Sequence, residues 1–221
     1  MTRGALGLPL GAGGFLKLLP VSRETFDRLS AYVDLLTLWN RRINLVARDT
    51  IGDVWRRHIL DCAQLHAQIP AGTRIMVDLG SGAGLPGLIL AIMGVRGVHL
   101  IESDGRKAVF LREAARITET PVEVHAQRLD RVPAFAADIV TARALAPLSE
   151  LLAFSQPFMG PDGICLFLKG RSVDEELTEA SKSWNMRAHR SPSLSDAAGC
   201  VLRLENIARD PRAATARDDR T

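Results

Sequence analysis

Short apolar runs alternate with helical patterns from residue 74 onward, and this alternation limits the folds that the chain can adopt. Each run has the length of a buried strand, and the helical pattern between two runs is about ten residues long. Strands joined by helices form βαβ units, so the sequence predicts an α/β domain around a mostly parallel sheet. The predicted strands are 75–79, 98–101, 122–125, 138–142, 163–168 and 200–204, and the predicted helices are 85–93, 106–116, 148–158 and 173–184.

Two further helical patterns, over 22–38 and 51–68, precede this domain, and a Pro-Ala-Gly sequence ends the second. We therefore expect an N-terminal helical extension over 21–73 and the α/β domain over 74–207. Prolines and glycines interrupt residues 1–20, which predicts a flexible N-terminus. The mixed-charge segment 208–221 has little to bury, which predicts a disordered tail.

The composition excludes several classes of protein. With 47% apolar and 24% charged residues, the chain resembles a soluble globular protein and not a disordered one. It has no run of about eighteen apolar residues that could form a membrane-spanning helix. Its three cysteines, Cys62, Cys165 and Cys200, are too few and too scattered for a disulfide framework, which favours a reducing, cytoplasmic location.

The first predicted strand runs into a glycine-rich loop, VDLGSGAGLPG at residues 77–87. Gly80, Gly82 and Gly84 allow the backbone to turn tightly and to approach a ligand. Similar loops bind dinucleotides, but Asp78 at the strand end would repel a pyrophosphate and attract an amino or sulfonium cation. Glu102, after the second predicted strand, can accept both ribose hydroxyls of an adenosine. S-adenosylmethionine fits this pattern better than NAD does.

Six segments of the chain resemble the bacterial 16S ribosomal RNA guanine-N7 methyltransferases, also called the glucose-inhibited division protein B family. The segments are LWNRRINL, RRHILDC, VDLGSGAGLPGL, LIESDGRKAVFL, DIVTARALAPL and FLKGR, and the likeness covers about residues 26–204. The resemblance implies a Rossmann-like class I methyltransferase fold with S-adenosylmethionine as the methyl donor. It also implies that the partner is the small ribosomal subunit and that the substrate is a guanine of its RNA.

The resemblance also assigns cofactor contacts to particular positions. Those of the family fall here on Gly80, Leu85, Leu129, Asp130 and Arg143. Three residues differ from the common pattern: Glu102 is an Asp in many members, Cys62 stands where Ser is common, and Asp130 is often a Glu. With the loop residues and the end of the second strand, the predicted cofactor-binding set is Asp78, Gly80, Gly82, Gly84, Leu85, Glu102, Ser103, Leu129, Asp130 and Arg143.

Methylation of guanine N7 requires no proton transfer, because this nitrogen carries a lone pair and no hydrogen. Catalysis then depends on positioning and on electrostatics, and no general base is expected. The turn after the fourth strand, residues 141–144, lacks the Asp/Asn-Pro-Pro-aromatic motif of enzymes that methylate exocyclic amines. Arg143 in this turn is the predicted catalytic positioning residue, as a donor to guanine O6, to a phosphate or to the methionine carboxylate.

His58 lies between Arg57 and Asp61, an arrangement that invites comparison with metal or acid–base sites. No second His or Cys stands at ligand spacing from it, so we expect no metal site. We expect His58 to be a helix residue with a hydrogen-bonded partner.

Positive charge is concentrated near the N-terminus. Residues 1–74 hold ten cations and six acids, whereas the rest of the chain holds 18 cations and 19 acids. RNA contact is one interpretation of the arginines in the extension, and a solvated face is the other. Trp39 and Trp55 either stack on a base or pack the extension onto the sheet. The predicted RNA-binding residues are Asn40, Arg41, Arg42, Arg56, Arg57, Lys169 and Arg171. For Lys169 and Arg171, which share a turn after the fifth predicted strand, the alternative is an ordinary exposed turn.

Three other functions fit parts of the sequence. The first is an S-adenosylmethionine-dependent methyltransferase acting on a small molecule or a protein. The second is an NAD-dependent oxidoreductase, against which Asp78 argues. The third is a non-enzymatic ribosome assembly factor that retains a cofactor pocket. In each case we expect a monomer with no membrane partner.

Overall fold

The computed structural model describes residues 9–211, and seven strands form its single sheet. The strands are β1 Met76–Leu79, β2 Val98–Ile101, β3 Val122–His125, β4 Ala137–Arg143, β5 Met159–Lys169, β6 Trp184–Pro192 and β7 Cys200–Arg209. Their order is β3-β2-β1-β4-β5-β7-β6, in which the first five are parallel and β7 is antiparallel to both of its neighbours. The predicted mostly parallel α/β sheet is confirmed.

Helices cover both faces of this sheet. They are α1 Ala12–Leu18, α2 Arg23–Trp39, α3 Asp61–Ala63, α4 Gly87–Ile92, α5 Gly105–Ile117, α6 Leu148–Ser155 and α7 Val173–Ala180. Successive strand residues point to opposite faces, so Met76 joins the core under α2, α4 and α5 while Val77 joins the core under α6 and α7. No helix among the described residues is long and apolar enough to cross a membrane.

The segment predicted as one helix over 51–68 is irregular. It consists of a 3-10 helix at Arg48–Asp53, a π-helical turn at Trp55–Leu60, the short α3 and a second 3-10 helix at Gln64–Gln68. π-Helical turns are rare in proteins, and many of those that occur lie at functional sites. They turn side chains into directions that a regular helix would not give them.

The expectation of a flexible N-terminus is wrong for residues 9–20. These residues contain α1, whose Phe15 is fully buried and lies 5.4 Å from the ring of Trp55. The backbone N–H of Leu10 also donates to Asp53 at 2.6 Å. The glycines of this segment had argued against a helix, but α1 forms and buries Phe15. Residues 1–8 lie outside the described part of the chain.

The C-terminal half departs from expectation at two places. The helix predicted over 173–184 ends at Ala180, and β6 follows at the sheet edge with mostly exposed polar side chains. An exposed edge strand lacks the apolar alternation by which strands are recognised. β7 continues to Arg209, whose guanidinium lies 4.6 Å from the ring of Trp184, so the predicted disordered tail does not begin at 208. Residues 212–221 lie outside the described range.

The helical extension packs directly on the α/β domain. The hydroxyl of the fully buried Tyr32 in α2 donates to the carbonyl of Ala83 in the glycine-rich loop at 2.7 Å. Trp39 meets Phe110 of α5 edge to face, and the buried Trp55 packs between aromatic rings of the extension. Both tryptophans therefore pack elements of the protein together. α2 holds the glycine-rich loop in place through the hydrogen bond from Tyr32 to Ala83.

Candidate cofactor and substrate site

Asp78 near the end of β1 is fully buried and joins the glycine-rich loop to the neighbouring strand β4. Its Oδ1 accepts a hydrogen bond from Thr141 of β4 at 2.8 Å, and its Oδ2 accepts one from the backbone N–H of Gly87 at 3.2 Å. Complete burial raises the pKa of its carboxyl group to about 6, against the opposing effect of these hydrogen bonds. Both oxygens of Asp78 are turned into the protein here, and its contact with the positive charge of a ligand stays a prediction.

The loop glycines serve different purposes. Gly80 has a φ of +63° and lines a cleft, and a Cβ there would lie 2.6 Å from Leu145. A Cβ on Gly84 would instead collide with Leu88 behind the loop, and Leu85 is itself buried in the core. Among these predicted cofactor residues, Gly80 reaches the cleft, whereas Gly84 and Leu85 point into the protein and shape the turn.

Glu102 at the end of β2 holds the loop from the other side. Its Oε2 accepts from the backbone N–H of Gly82 at 2.8 Å, and its Oε1 accepts from that of Asp104 at 2.7 Å. The side chain is nearly buried, with 6% of the residue exposed. Each carboxylate oxygen retains a second lone pair, so the group can still accept hydroxyl donors. The sequence did not reveal that Glu102 also anchors the loop that it faces.

A cleft of about 710 Å³ lies beside these groups, at the carboxyl ends of the parallel strands. Its walls combine apolar side chains with a few polar groups, as ligand sites do, and its volume is that of a small-molecule site. Four predicted cofactor residues share it, namely Gly80, Ser103, Leu129 and Asp130. An adenosine group therefore fits the residues present, with flat apolar contacts from the walls and acceptors at the rim.

Arg143, the last residue of β4, faces a second and more polar pocket of about 310 Å³. Its Nη1 donates to the carboxylate of Asp61 at 3.2 Å and to the carbonyl of Arg57 at 3.1 Å. Its Nη2 donates to Nδ1 of His58 at 3.1 Å. The π-helical turn and α3 thus hold the guanidinium, which lines the second pocket and not the adenosine-sized cleft.

His58 is neutral, and its hydrogen bonds define its tautomer. Burial and the charges of Arg143 and Arg57 lower its pKa to about 3. Because an arginine can only donate, Nδ1 accepts, and the proton on Nε2 is donated to Thr50 Oγ1 at 2.7 Å. The Thr50 hydroxyl in turn donates to the carbonyl of Ala47 at 2.6 Å. The expectation of a hydrogen-bonded helix histidine is confirmed.

The turn after β4 separates the two pockets. Ala144 lines the polar pocket, while Leu145 and Ala146 line the adenosine-sized cleft. Ala144 has a φ of +50°, a conformation that costs a non-glycine residue of order 1 kcal/mol. A strained turn at the junction of two clefts is a local feature that sequence patterns do not reveal.

Three of the predicted RNA-binding residues are used by the fold. Asn40 is 4% exposed, and its Oδ1 accepts backbone N–H groups of the loop that follows α2. Arg56 is buried beside Asp53 at 3.3 Å. Lys169 is an ion-paired residue of the pocket wall, with its Nζ 2.5 Å from the carboxylate of Glu176. Each of these side chains is turned towards a protein partner, and RNA contact by them stays a prediction.

The other predicted RNA contacts are exposed on the surface, namely Arg41, Arg42, Arg57 and Arg171. Arg57 pairs with Asp196 at 3.7 Å on the rim of the polar pocket. Each cation of that pocket thus has an acidic neighbour: Arg57 has Asp196, Arg143 has Asp61, and Lys169 has Glu176. The pocket is balanced in charge, and its cations do not make it a phosphate site.

The chain matches known proteins over most of its length. Residues 25–199 match the family model for rRNA small subunit methyltransferase G. The chain is 61% identical over 188 residues to the ribosomal RNA small subunit methyltransferase G of Rhodospirillum centenum, covering 85% of this chain and 87% of that protein. It is 56% identical to the protein of the same name from Paramagnetospirillum magneticum, covering 86% of this chain and 92% of that protein.

Solved structures with the same fold are much more distant in sequence. TYW2 of M. jannaschii, in complex with AdoMet, superposes with a TM-score of 0.52 at 14% identity, covering 68% of this chain and 77% of that one. A chain of a fibrillarin/Nop5p complex gives a TM-score of 0.52 at 13% identity, covering 67% and 80%. These likenesses support the class I methyltransferase fold.

Proposed function

The chain belongs to the rRNA small subunit methyltransferase G family, and we propose that it methylates a guanine of small-subunit ribosomal RNA at N7. The methyl donor is S-adenosylmethionine. The observation that carries the proposal is the pair of pockets that meet at the turn after β4, an adenosine-sized cleft on one side and a polar, charge-balanced pocket on the other.

The residues of the cleft suit the adenosine part of the donor. Glu102, which is buried between Ile101 and Ser103 of the cleft wall, is the acceptor for the ribose hydroxyls, and Asp130 of the wall is the acceptor for the adenine amino group. Gly80 leaves the backbone accessible, because a side chain there would fill the space next to Leu145. Ser103 and Leu129 complete the contact surface. When bound, the donor supplies an electrophilic methyl group on a sulfonium.

Two candidate proton acceptors of the polar pocket, His58 and Asp61, are already engaged by protein partners. The single proton of His58 is donated to Thr50, and its lone pair accepts from Arg143. Asp61 is held by Arg143 and by the hydroxyl of Ser195, which donates at 2.5 Å. A nucleophile that carries its own lone pair, such as guanine N7, needs no deprotonation. The pocket therefore acts by binding and orienting the base.

Arg143 is the group best suited to orient the base. Its Nη1 protons and one Nη2 proton are used by protein acceptors, which fixes the plane of the guanidinium. The second Nη2 proton and the Nε proton are left for an acceptor of the substrate, and guanine O6 is such an acceptor. Because Arg143 lines the polar pocket, we assign it to the base and not to the methionine carboxylate.

The exposed arginines of the extension are the proposed contacts to the RNA backbone. Arg41 and Arg42 follow α2, in the connection that leads to Thr50 and the π-helical turn. Arg171 is exposed after β5, next in sequence to Gly170 of the polar pocket wall. Exposed arginines suit a substrate whose phosphates stay on the protein surface while one base enters the polar pocket.

Transfer of labelled methyl groups tests the function. The purified protein and labelled S-adenosylmethionine would be incubated with small ribosomal subunits that lack the modification, and separately with protein and metabolite extracts. We expect label in the RNA, recovered as N7-methylguanine after digestion. Label confined to a small molecule or a protein would refute the RNA substrate. Donor binding without transfer to any substrate would instead favour an assembly factor.

A further inference from the structure

Three potential metal ligands meet on the sheet, away from the polar pocket. His99 of β2 is paired in register with Glu123 of β3, and His125 lies two residues further along the same strand. Since side chains two residues apart share a face, all three project from the face that packs against α6. They form a cluster on the edge strand β3, whose outer side is not paired with another strand of the described sheet.

The ligand atoms are spaced as neighbours in a metal coordination shell. Nδ1 of His99 lies 3.0 Å from Nε2 of His125. Each of these nitrogens lies 3.5 Å from an oxygen of the Glu123 carboxylate. Two ligands at about 2.1 Å from one ion are about 3.0 Å apart at a right angle and about 3.4 Å apart at a tetrahedral angle. One ion can therefore reach all three groups.

The surroundings hold the cluster while leaving it accessible. The ring of Phe135 lies 4.6 Å from that of His99 and restricts its rotation. The two imidazole planes differ by only 16°, and the 3.0 Å contact between Nδ1 of His99 and Nε2 of His125 is a hydrogen bond from one ring to the other. The side chains of His99 and His125 keep 20% and 15% of their surface exposed, and that of Glu123 keeps 64%. An ion can enter from solvent on the carboxylate side.

We propose that His99, Glu123 and His125 form a binding site for one divalent transition-metal ion of the zinc type. Two imidazoles and one carboxylate favour such ions over Mg²⁺ or Ca²⁺, which prefer oxygen ligands. The ion joins the edge strand to β2. The backbone N–H of Glu102 donates to the carbonyl of His125 at 3.0 Å. By holding His125, the ion therefore also stabilises the end of β2, where Glu102 is the proposed acceptor for the ribose.

The expectation of no metal site rested on the neighbours of His58 alone. Ligands on two strands that are far apart in sequence leave no spacing motif, and the parallel register brings them together. The proposal does not depend on the methyltransferase activity, because none of the three side chains lines the cleft or the polar pocket.

Zinc titration of the tag-free, chelator-treated full-length protein tests the site. Calorimetry is expected to give one equivalent of bound Zn²⁺, and thermal unfolding in the presence of Zn²⁺ is expected to shift upward. Co²⁺ is expected to give the d–d absorption of a nitrogen- and oxygen-ligated ion. His99→Asn and His125→Asn are expected to weaken binding by more than about tenfold.

Matched variants separate this site from other histidines and from misfolding. His66 is exposed on a different segment, so His66→Asn is expected to bind Zn²⁺ as the wild type does. Glu123→Gln changes an exposed side chain, is expected to fold, and is expected to weaken binding by more than about tenfold. Absence of Zn²⁺ binding in the wild type would overturn the proposal. Unchanged affinity in Glu123→Gln and the two histidine variants would overturn it equally.

Discussion

Asp78 makes the folded protein less stable as the pH rises, and Asp78→Asn is expected to remove this effect. The pKa of its carboxyl group is about 6 in the fold and 3.8 in an exposed reference state, because complete burial disfavours the charge. The stability contributed by the protonated form is fully present below pH 3.8 and is lost as the pH rises through about 6. A rise of about two units corresponds to about 3 kcal/mol in the free energy of unfolding.

The asparagine variant can keep the hydrogen bonds of this site without the charge. Its amide oxygen can accept from the backbone N–H of Gly87, as Oδ2 does now. Its amide N–H can donate to the hydroxyl of Thr141, which then donates to the carbonyl of Val77, 3.4 Å away. The second amide N–H has no assigned acceptor, and this cost reduces the gain, so we expect the variant to be more stable than the wild type at pH 7 by less than about 3 kcal/mol.

Urea unfolding between pH 4 and pH 8 measures this difference. The gain in free energy of unfolding for Asp78→Asn over the wild type is expected to grow with pH and to level off above about pH 7. Asp138→Asn is the matched control with the opposite sign. Backbone N–H donors from Ile75 and Arg74 lower the pKa of Asp138, so its stabilising effect is lost as the pH falls. A gain for Asp78→Asn that does not change with pH would refute the reasoning.

Four further predictions concern the cofactor, the substrate and the strained turn. Glu102→Ala is expected to weaken S-adenosylmethionine binding by about 1–3 kcal/mol, measured by calorimetry, and unchanged affinity would remove Glu102 from the site. Arg143→Lys is expected to lower kcat and to leave donor affinity unchanged, because lysine cannot reproduce the forked hydrogen bonds; equal loss of donor affinity would contradict its assignment to the base. Arg41→Glu combined with Arg42→Glu is expected to weaken binding to small-subunit RNA and to flatten its salt dependence, while donor affinity stays constant; an unchanged salt slope would show that these arginines do not contact RNA. Ala144→Gly is expected to raise the free energy of unfolding by up to about 1 kcal/mol in urea titrations, and destabilisation instead would show that the positive φ is not strained.

The sequence predicted the elements that carry a plain apolar pattern. The parallel strands and α2, α4, α5 and α6 lie close to their expected positions, because burial of one face of a helix imposes a regular apolar spacing and burial of both faces of a strand gives a short apolar run. It failed for α1, for the π-helical turn and for β6. These elements depend on a single buried ring such as Phe15, on a local change of helical winding, or on pairing at an exposed edge. None of these conditions produces a periodic apolar pattern.

For the candidate site, the sequence located the charged groups but not their directions. It identified Asp78, Glu102 and Arg143 as important, yet it assigned Asp78 to the ligand, whereas the carboxylate is turned under the loop. The direction of a side chain at a strand end depends on partners from other strands and helices, here Thr141 and Gly87. Such partners are distant in sequence, and a single sequence carries no signal for them.

The charge balance of the polar pocket bears on which residues would attract the RNA backbone and which would orient the base. A pocket in which each arginine or lysine has an acidic neighbour gains little from a phosphate, whose charge the acids would oppose. A guanine base is neutral and presents acceptors and donors, so it suits the same pocket. The attraction for the RNA backbone must then come from exposed cations such as Arg41, Arg42 and Arg171. Under the proposed function, affinity for the RNA and orientation of the base are therefore expected to depend on different residues, and separate substitutions are expected to alter them separately.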